Sequence, residues 1–478
     1  MAYLLIGFPL LMAAITFAAP SDRWRPWLLP VGALANLVMA MMAIFGDAVV
    51  KGVYDWLLLD ALGKVVLGLL SVLFFLCAIY APGYLAVRSD RPNRVFCSNL
   101  FVATAMMNLV ALAHHLGLMW VAIEATTLAS APSIYFNHNA RSLEATWKYL
   151  LIGSVGVALA LLGSLFLAYS SLKSGLESTL LFDQLVIDAP NLSAPWLHAA
   201  FVLLFVGYGT KMGLAPMHTW KPDAYGEAPS MVGAMLAGGV TSCAFLAIVR
   251  VYQICRAGAE AEFAREVMIV IGLLSMAVAA VFVARQRDFK RMLAYSSVEH
   301  MGILVLGIAV GGSAVYGALL HMVNNGLTKG VLFLSAGNIR RAYGSKLTDD
   351  VRGALQRVPL SAAMFLAGFL AVTGSPPFAP FVSEFTIVSA AAASGRYVVV
   401  ALFLGMLAIV FIGMGATVLS VVQGEAPPES EGPGIRDSFG TCAPIVVFMA
   451  LVLLLGLYIP PPLETLLRNA AAFVEGSR

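Results

Sequence analysis

Hydrophobic residues in this chain run in long blocks separated by short polar connections, without the period-two alternation of half-buried strands. Blocks of about 20 apolar residues predict helices that cross a bilayer, not the shorter alternating strands of a membrane barrel. The windows fall at 3–20, 27–45, 62–84, 97–113, 116–136, 147–171, 197–215, 229–252, 267–285, 292–311, 314–337, 359–394 with an internal break, 397–422 and 441–459. The expected fold is an all-α integral membrane protein of about fourteen transmembrane helices. Of the basic residues in the connections, seventeen fall in odd-numbered loops and five in even-numbered ones (Lys51, Lys173, Arg256, Arg265 and Arg396). Positive charge stays on the cytoplasmic side, so both termini are expected on the outer, periplasmic face of a bacterial or archaeal cell membrane.

Two spans are interrupted by similar sequences, Gly213-Leu-Ala-Pro216 and Gly374-Ser-Pro-Pro377, about 160 residues apart. Broken hydrophobic segments in corresponding positions point to internal repeats with a transport site at the breaks. Five helices per unit pair 97–252 with 267–422, and an odd number of crossings inverts one unit against the other. The expected organisation is a three-helix segment 1–95, inverted five-helix repeats at 96–254 and 265–424, and a C-terminal loop with the last span at 425–478.

Composition narrows the chemistry. Of 478 residues, 60% are hydrophobic and 12% charged, against roughly 25% charged in soluble domains. The net charge of +3 comes from short loops and carries no sign of nucleic-acid binding. Five scattered cysteines form no C-x-x-C or Cys/His cluster, and no phosphate-binding loop or dinucleotide fingerprint is present. No cofactor or metal site is therefore expected in this chain. The first apolar run lacks a basic n-region and is read as a retained span.

The polar groups inside the spans carry the functional reading. An unpaired ammonium at the bilayer centre costs from about 3 to more than 10 kcal/mol, depending on the scale. Lys211 sits in such a place, two residues before the first break. Glu124 lies about eight residues into its own span and is the natural partner. Burial penalises a charge and an opposite charge favours it, so each protonation state can follow the other. The alternative is a permanent buried ion pair that fixes helix packing. In the span 314–337, steps of four, seven and eight residues put Asn325, Thr328 and Lys329 within about 80° of His321 on one helical face. Glu384 follows the second break and reads as a terminal carboxylate or an interfacial acid. Glu299 and His300 read as the cytoplasmic mouth of a path or as a helix cap. Glu144 and Lys148 read as a helix-start i, i+4 pair or as modulators of Glu124, and His218 as a lining residue of the first connector.

These segments together resemble the antiporter-like membrane subunits of respiratory complex I, group 4 membrane-bound hydrogenases and multi-subunit cation/proton antiporters. The resemblance rests on WVAIEATTLAS, LEATWKYLLIGS, GYGTKMGLAPMHTWKPDAYGEAPS, RQRDFKRMLAYSSVEHMG and HMVNNGLTKGVLFLSAGNI, within residues 95–395. Two of the motifs look most like the F-type membrane subunit of hydrogenase-4. The resemblance implies an acid–lysine pair, a central lysine/histidine axis and a terminal acid or lysine, carried here by Glu124 with Lys211, by His321 and Lys329, and by Glu384. The chain departs from the pattern at the centre of the eighth span, where Thr241 and Ser242 stand in place of a lysine or histidine. Asn325 replaces a second histidine, and the chain ends shortly after its last span.

The resulting expectation is a non-catalytic, proton-translocating subunit of a larger redox-coupled complex, hydrogenase-like or NADH:quinone oxidoreductase-like. Its expected partners are other membrane subunits, a peripheral energising module and the lipid bilayer. Alternatives are a sodium/proton antiporter subunit, a proton-coupled partner of an inorganic-carbon uptake complex, or an assembly scaffold with a degenerate channel.

Overall fold

The computed structural model describes residues 1–46, 48–88, 90–425 and 436–476, so residues 426–435 of the expected C-terminal loop lie outside the described residues. The described residues form helices and turns with four isolated β-bridges. The chain opens with α1 (Ala2–Ala18), α2 (Arg25–Phe45), α3 (Ala61–Val87), α4 (Arg94–Leu112), α5 (Leu116–Ile134) and α6 (Ala140–Lys173). A short α7 (Phe182–Asp188) leads into α8 (Ala194–Met212), the break, and α9 (Trp220–Glu227). Next, α10 (Ser230–Met235) and α11 (Thr241–Ala257) are joined through a π-helical turn at Leu236–Val240. Then come α12 (Ala261–Val283), α13 (Phe289–Val310), α14 (Ser313–Tyr343), a four-residue α15 (Ala354–Arg357) and α16 (Pro359–Val372). After the second break follow α17 (Ala379–Ala393), α18 (Tyr397–Val422), α19 (Phe439–Leu457) and α20 (Pro461–Val474).

Among the described residues, nine helices are long and apolar enough to cross a membrane, and α1, α16 and α17 are shorter apolar helices. The helices α5, α8 and α14, of 19, 19 and 31 residues, fall outside the nine and carry Glu124, Lys211, and His321 with Lys329. Burial sorts the helices into layers. Only 28% of the most apolar stretch of α18 is buried, against 100% for α10–α11 and 94% for α13. The outer helices turn leucine, valine and phenylalanine outward, as lipid contact requires. The inner α13 carries buried Lys290, Glu299 and His300.

Close approach between helices depends on small residues, because apolar association gains little in lipid. Helices α6 and α8 meet at Gly207, where a Cβ would stand 2.6 Å from the Ala160 nitrogen and from the Gly156 carbonyl oxygen. Gly272 of α12 and Gly302 of α13 approach in the same way, a Cβ on Gly302 lying 2.6 Å from the Gly272 oxygen.

The basic connections gather at one end, where Arg141, Arg287, Arg291, Arg340 and Lys346 line one cavity of about 660 Å³ with Glu227 and Asp288. Both described chain ends lie with the even-numbered connections. Tyr3 accepts from the Val53 backbone N–H at 2.8 Å, and the Glu475 carboxylate accepts from Gly312 N–H at 2.7 Å. Three residues counted above as loop charges, Arg25, Lys221 and Lys290, are buried. Flanking Pro, Asp and Arg residues make them read as connector positions, but their side chains turn into the bundle. A further difference is α20, an amphipathic helix beyond the last span that packs on α3 and α14 and receives hydrogen bonds from Gln253 and Arg256. Its polar face hides it from an apolar-window reading.

Gly207→Leu is expected to force α6 from α8, with a destabilisation of about 1–3 kcal/mol, whereas Gly405→Ala, with open space around its Cβ, leaves the melting temperature in detergent unchanged. Equal melting temperatures for both variants would contradict the close-approach account.

Candidate functional site

Lys211 is the penultimate residue of α8, and the helix ends there because Gly213 takes φ 84° and closes backbone bonds from Gly213 and Leu214 to the Gly209 carbonyl. The negative end of the helix dipole favours an ammonium at this position. Lys211 is 1% exposed. Its Nζ donates to Thr127 Oγ1 and, at 3.3 Å, to Tyr149 Oη, and it stands 4.5 Å from the centre of the Tyr149 ring. Thr127 donates in turn to Glu124 Oε2 at 3.2 Å, and Ser154 donates to Glu124 Oε1 at 2.9 Å. Glu124 and Lys211 attract one another, but no ion pair within 4 Å joins them among the described residues. The acid and the lysine meet through the Thr127 hydroxyl, which can accept from one and donate to the other. Thr127 and Tyr149 were not legible as site residues, since a hydroxyl one turn from an acid reads as ordinary helix solvation.

Beyond the break, α9 is tied to the helices around it. Trp220 Nε1 donates to the Thr210 carbonyl at 2.9 Å, and Lys221 Nζ to the Met212 carbonyl at 2.8 Å. Asp223 pairs with Lys148 at 2.8 Å and Arg291 at 3.1 Å, while Lys148 also reaches Glu144 at 2.6 Å. Glu144 and Lys148 are therefore part of a charge network through Asp223, more than an isolated i, i+4 pair. Lys346 bridges Glu227 and Asp288 at 2.8 and 2.9 Å, and Lys290 Nζ donates to the Ala228 carbonyl at 2.6 Å. His218 is buried, its ring 6.2 Å from that of Tyr295, which reaches the basic cavity.

In the second half, Lys329 is fully buried on α14 and donates to Ser296 Oγ at 2.8 Å and the Leu293 carbonyl at 3.4 Å. Glu299 attracts it from α13. Glu299 and His300 neither cap a helix nor open a mouth. They lie midway along α13 at 1% and 0% exposure, and the cap is Asp288, which accepts from Lys290 N and Arg291 N. The helix starts earlier than the apolar window because Phe289 and Lys290 are buried in its first turn.

His300 Nδ1 and His321 Nε2 are 3.0 Å apart, and His321 Nδ1 is 2.9 Å from Ser383 Oγ. Ser383 Oγ also lies 2.9 Å from the Pro380 carbonyl and accepts from Asn324 Nδ2 at 3.2 Å. One N–H···N hydrogen bond joins His300 Nδ1 and His321 Nε2, its direction set by the tautomers, and His300 also bonds the Val372 backbone. Glu384 completes the cluster, with one ligand atom of each of the three residues within 4.8 Å of the others. The cluster has the donor set of a metal site, but a metal ion would have to replace the N–H···N bond and sit among groups that feel the Lys329 charge. The hydrogen-bond arrangement fits a proton relay better.

Glu384 is 4% exposed and lies over Gly374 of the second break, where a Cβ would collide with Oε2. It is a buried carboxylate. Asn325 is buried with its side-chain oxygen unpartnered. Thr241 and Ser242 donate to their own helix, to the Ala237 carbonyl at 2.7 Å and the Gly238 carbonyl at 2.6 Å, within and beside the π-helical turn.

Comparison with known proteins matches this architecture. Residues 113–411 match the family described as NADH:quinone oxidoreductase/Mrp antiporter, TM. The chain is 32% identical over 469 residues to the hydrogenase-4 component F homolog of Methylacidiphilum infernorum (isolate V4), covering 95% of this chain and 96% of the relative. Its fold superimposes with a TM-score of 0.87 on a chain of the membrane-bound sulfane sulfur reductase, an archaeal respiratory membrane complex, at 21% identity and over 100% and 98% of the two chains. The same score, identity and coverage hold for a chain of the Mrp complex from Dietzia sp. DQ12-45-1b. The structural neighbours are thus chains of multi-subunit membrane complexes. With the family match spanning well over half its length and a near full-length relative, this chain belongs to the NADH:quinone oxidoreductase/Mrp antiporter family of integral membrane subunits.

Proposed function

We propose that this chain is a proton-translocating subunit of a larger, redox-coupled membrane complex, hydrogenase-like or NADH:quinone oxidoreductase-like. One observation carries the reading: Lys211 and Lys329 are buried on hydroxyl and carbonyl partners, with no carboxylate within 4 Å among the described residues. A lysine locked into an ion pair cannot lose its proton without stranding a buried carboxylate. A lysine resting on neutral hydroxyls can lose its proton, and the hydroxyls offer a route for it.

The path runs from Glu124 through Lys211 to Lys329, His321 and Glu384. Glu144, Lys148, His218, Glu299, His300, Asn325, Thr241 and Ser242 are secondary members. Coupling is electrostatic: a charge change imposed by a neighbouring subunit on the half-exposed Glu124 propagates along the series. Redox chemistry belongs to partner subunits, and no cofactor is assigned to this chain.

The finer architecture belongs to the same reading. We take fourteen crossings, with residues 96–254 and 265–424 as inverted halves between the segments 1–95 and 425–478. In support, each half has a pair of helices in contact before its break, α4 on α5 and α12 on α13. Both breaks carry G-x-x-P with the glycine at positive φ, 84° and 68°. The basic end is taken as cytoplasmic and the termini as periplasmic.

In membrane vesicles containing the intact complex, Lys211→Ala and Glu124→Gln are expected to lower coupled proton translocation, read as dye quenching on substrate addition, at least about tenfold with the complex still assembled. Normal pumping in both would sink the assignment, and pumping restored only by sodium would mark an antiporter instead. Thr127→Val, which removes the hydroxyl between Lys211 and Glu124, is expected to behave like Glu124→Gln, with Thr127→Ser restoring transport. Gly374→Ala places a methyl against the Glu384 carboxylate and is expected to match Glu384→Gln in the same assay; wild-type transport in Gly374→Ala would separate Glu384 from the path.

A further inference from the structure

The interval between Lys211 and Lys329 lacks an obvious carrier, because the eighth span offers only Thr241 and Ser242 and both hydroxyl protons go to carbonyls of their own helix. A basic group reaches this interval from a different element. Lys221 of α9 is fully buried, and among the described residues its ammonium donates to the Met212 carbonyl at the end of α8, one residue from Lys211. No carboxylate lies within 4 Å of it among the described residues. Its Nζ stands 5.6 Å from the centre of the Tyr225 ring, and Tyr225 meets Phe333, one turn beyond Lys329 on α14, edge to face at 5.6 Å. Helix α9 also packs on α13, whose Ser296 receives the Lys329 ammonium. The charges of Lys221 and Lys329 repel one another.

The two breaks give an independent argument. At Gly213 an added Cβ would stand 2.9 Å from Lys221 Nζ and 2.7 Å from its Cδ, and at Gly374 it would strike the Glu384 carboxylate. In each G-x-x-P break the glycine makes room for one buried ionisable side chain that follows it in sequence, eight residues on in the first half and ten in the second. Lys221, and not Lys211, is thus the first-half counterpart of Glu384.

We propose that Lys221 is the proton carrier at the joint between the two halves, taking a proton from the Lys211 group and passing it towards Lys329. In each transfer one N–H bond breaks at the donor amine and one forms at the acceptor, directly or through water, and no redox partner is required. This inference rests on the proton-translocating reading of the chain. The competing role is structural: an ammonium that only caps the α8 carbonyl, for which charge and a donor suffice.

Lys221→Arg separates the two, since a guanidinium keeps the charge and the donors but does not release a proton at accessible pH. Lys221→Gln serves the same purpose with a neutral donor should the larger group prevent assembly. In vesicles carrying the intact complex, with assembly checked by native electrophoresis, either assembled variant is expected to lose proton translocation at least about tenfold. Transport at the wild-type rate in either assembled variant overturns the proposal. If Lys211→Ala and Lys329→Ala stop transport while Lys221→Arg does not, Lys221 is only a cap and the wider reading stands. If those two variants also pump normally, both readings fall together.

Discussion

Four ammonium groups, those of Lys211, Lys221, Lys290 and Lys329, are buried in this bundle at 0–1% exposure. Most of the architecture follows from how they are solvated. Taking a charge out of water costs several kcal/mol even after relaxation, and none of the four has a carboxylate within ion-pair distance among the described residues. Each rests instead on hydroxyls or backbone carbonyls: Thr127 and Tyr149, Met212, Ala228, and Ser296 with Leu293. Such partners must come from places where carbonyls are free or hydroxyls point inward. Those places are helix ends, a broken helix and polar faces enclosed by other helices.

The breaks therefore do two things at once. Ending α8 at Gly213 releases carbonyls that α9 reclaims through Trp220 and Lys221 and sets the Lys211 ammonium at the negative end of a helix. The second break places Gly374 beneath the Glu384 carboxylate. Gly213, Leu214 and Ala215 of the first break are buried, and the ion pairs of Asp223, Glu227 and Asp288 secure α9 from the basic end. Carboxylates thus pair firmly at the rim, while the lysines of the interior are left on neutral partners.

Much of this was legible in the chain. The helical membrane class, the breaks, the buried character of Lys211 and Lys329 and the family all follow from apolar blocks and local motifs. The positions of Lys221 and Lys290 were not. Each is flanked by residues typical of connectors, and window hydropathy cannot tell a connector that folds back into the bundle from one that faces water. Glu299 and His300 were misplaced for a related reason, since a helix whose first turn is buried starts before its apolar window does. The amphipathic α20 was missed because its polar face keeps its average below that of a span.

The sequence by itself determined the medium, the helical class and the inventory of ionisable groups, because a hydrocarbon solvent imposes composition residue by residue. Only the tertiary structure decided who meets whom. Thr127 stands between Glu124 and Lys211, His300 lies against His321 across two helices, and Lys221 reaches the end of α8. Those contacts join residues far apart in the chain, and they depend on helix rotation and close approach at Gly207, Gly213 and Gly374, which no local pattern encodes.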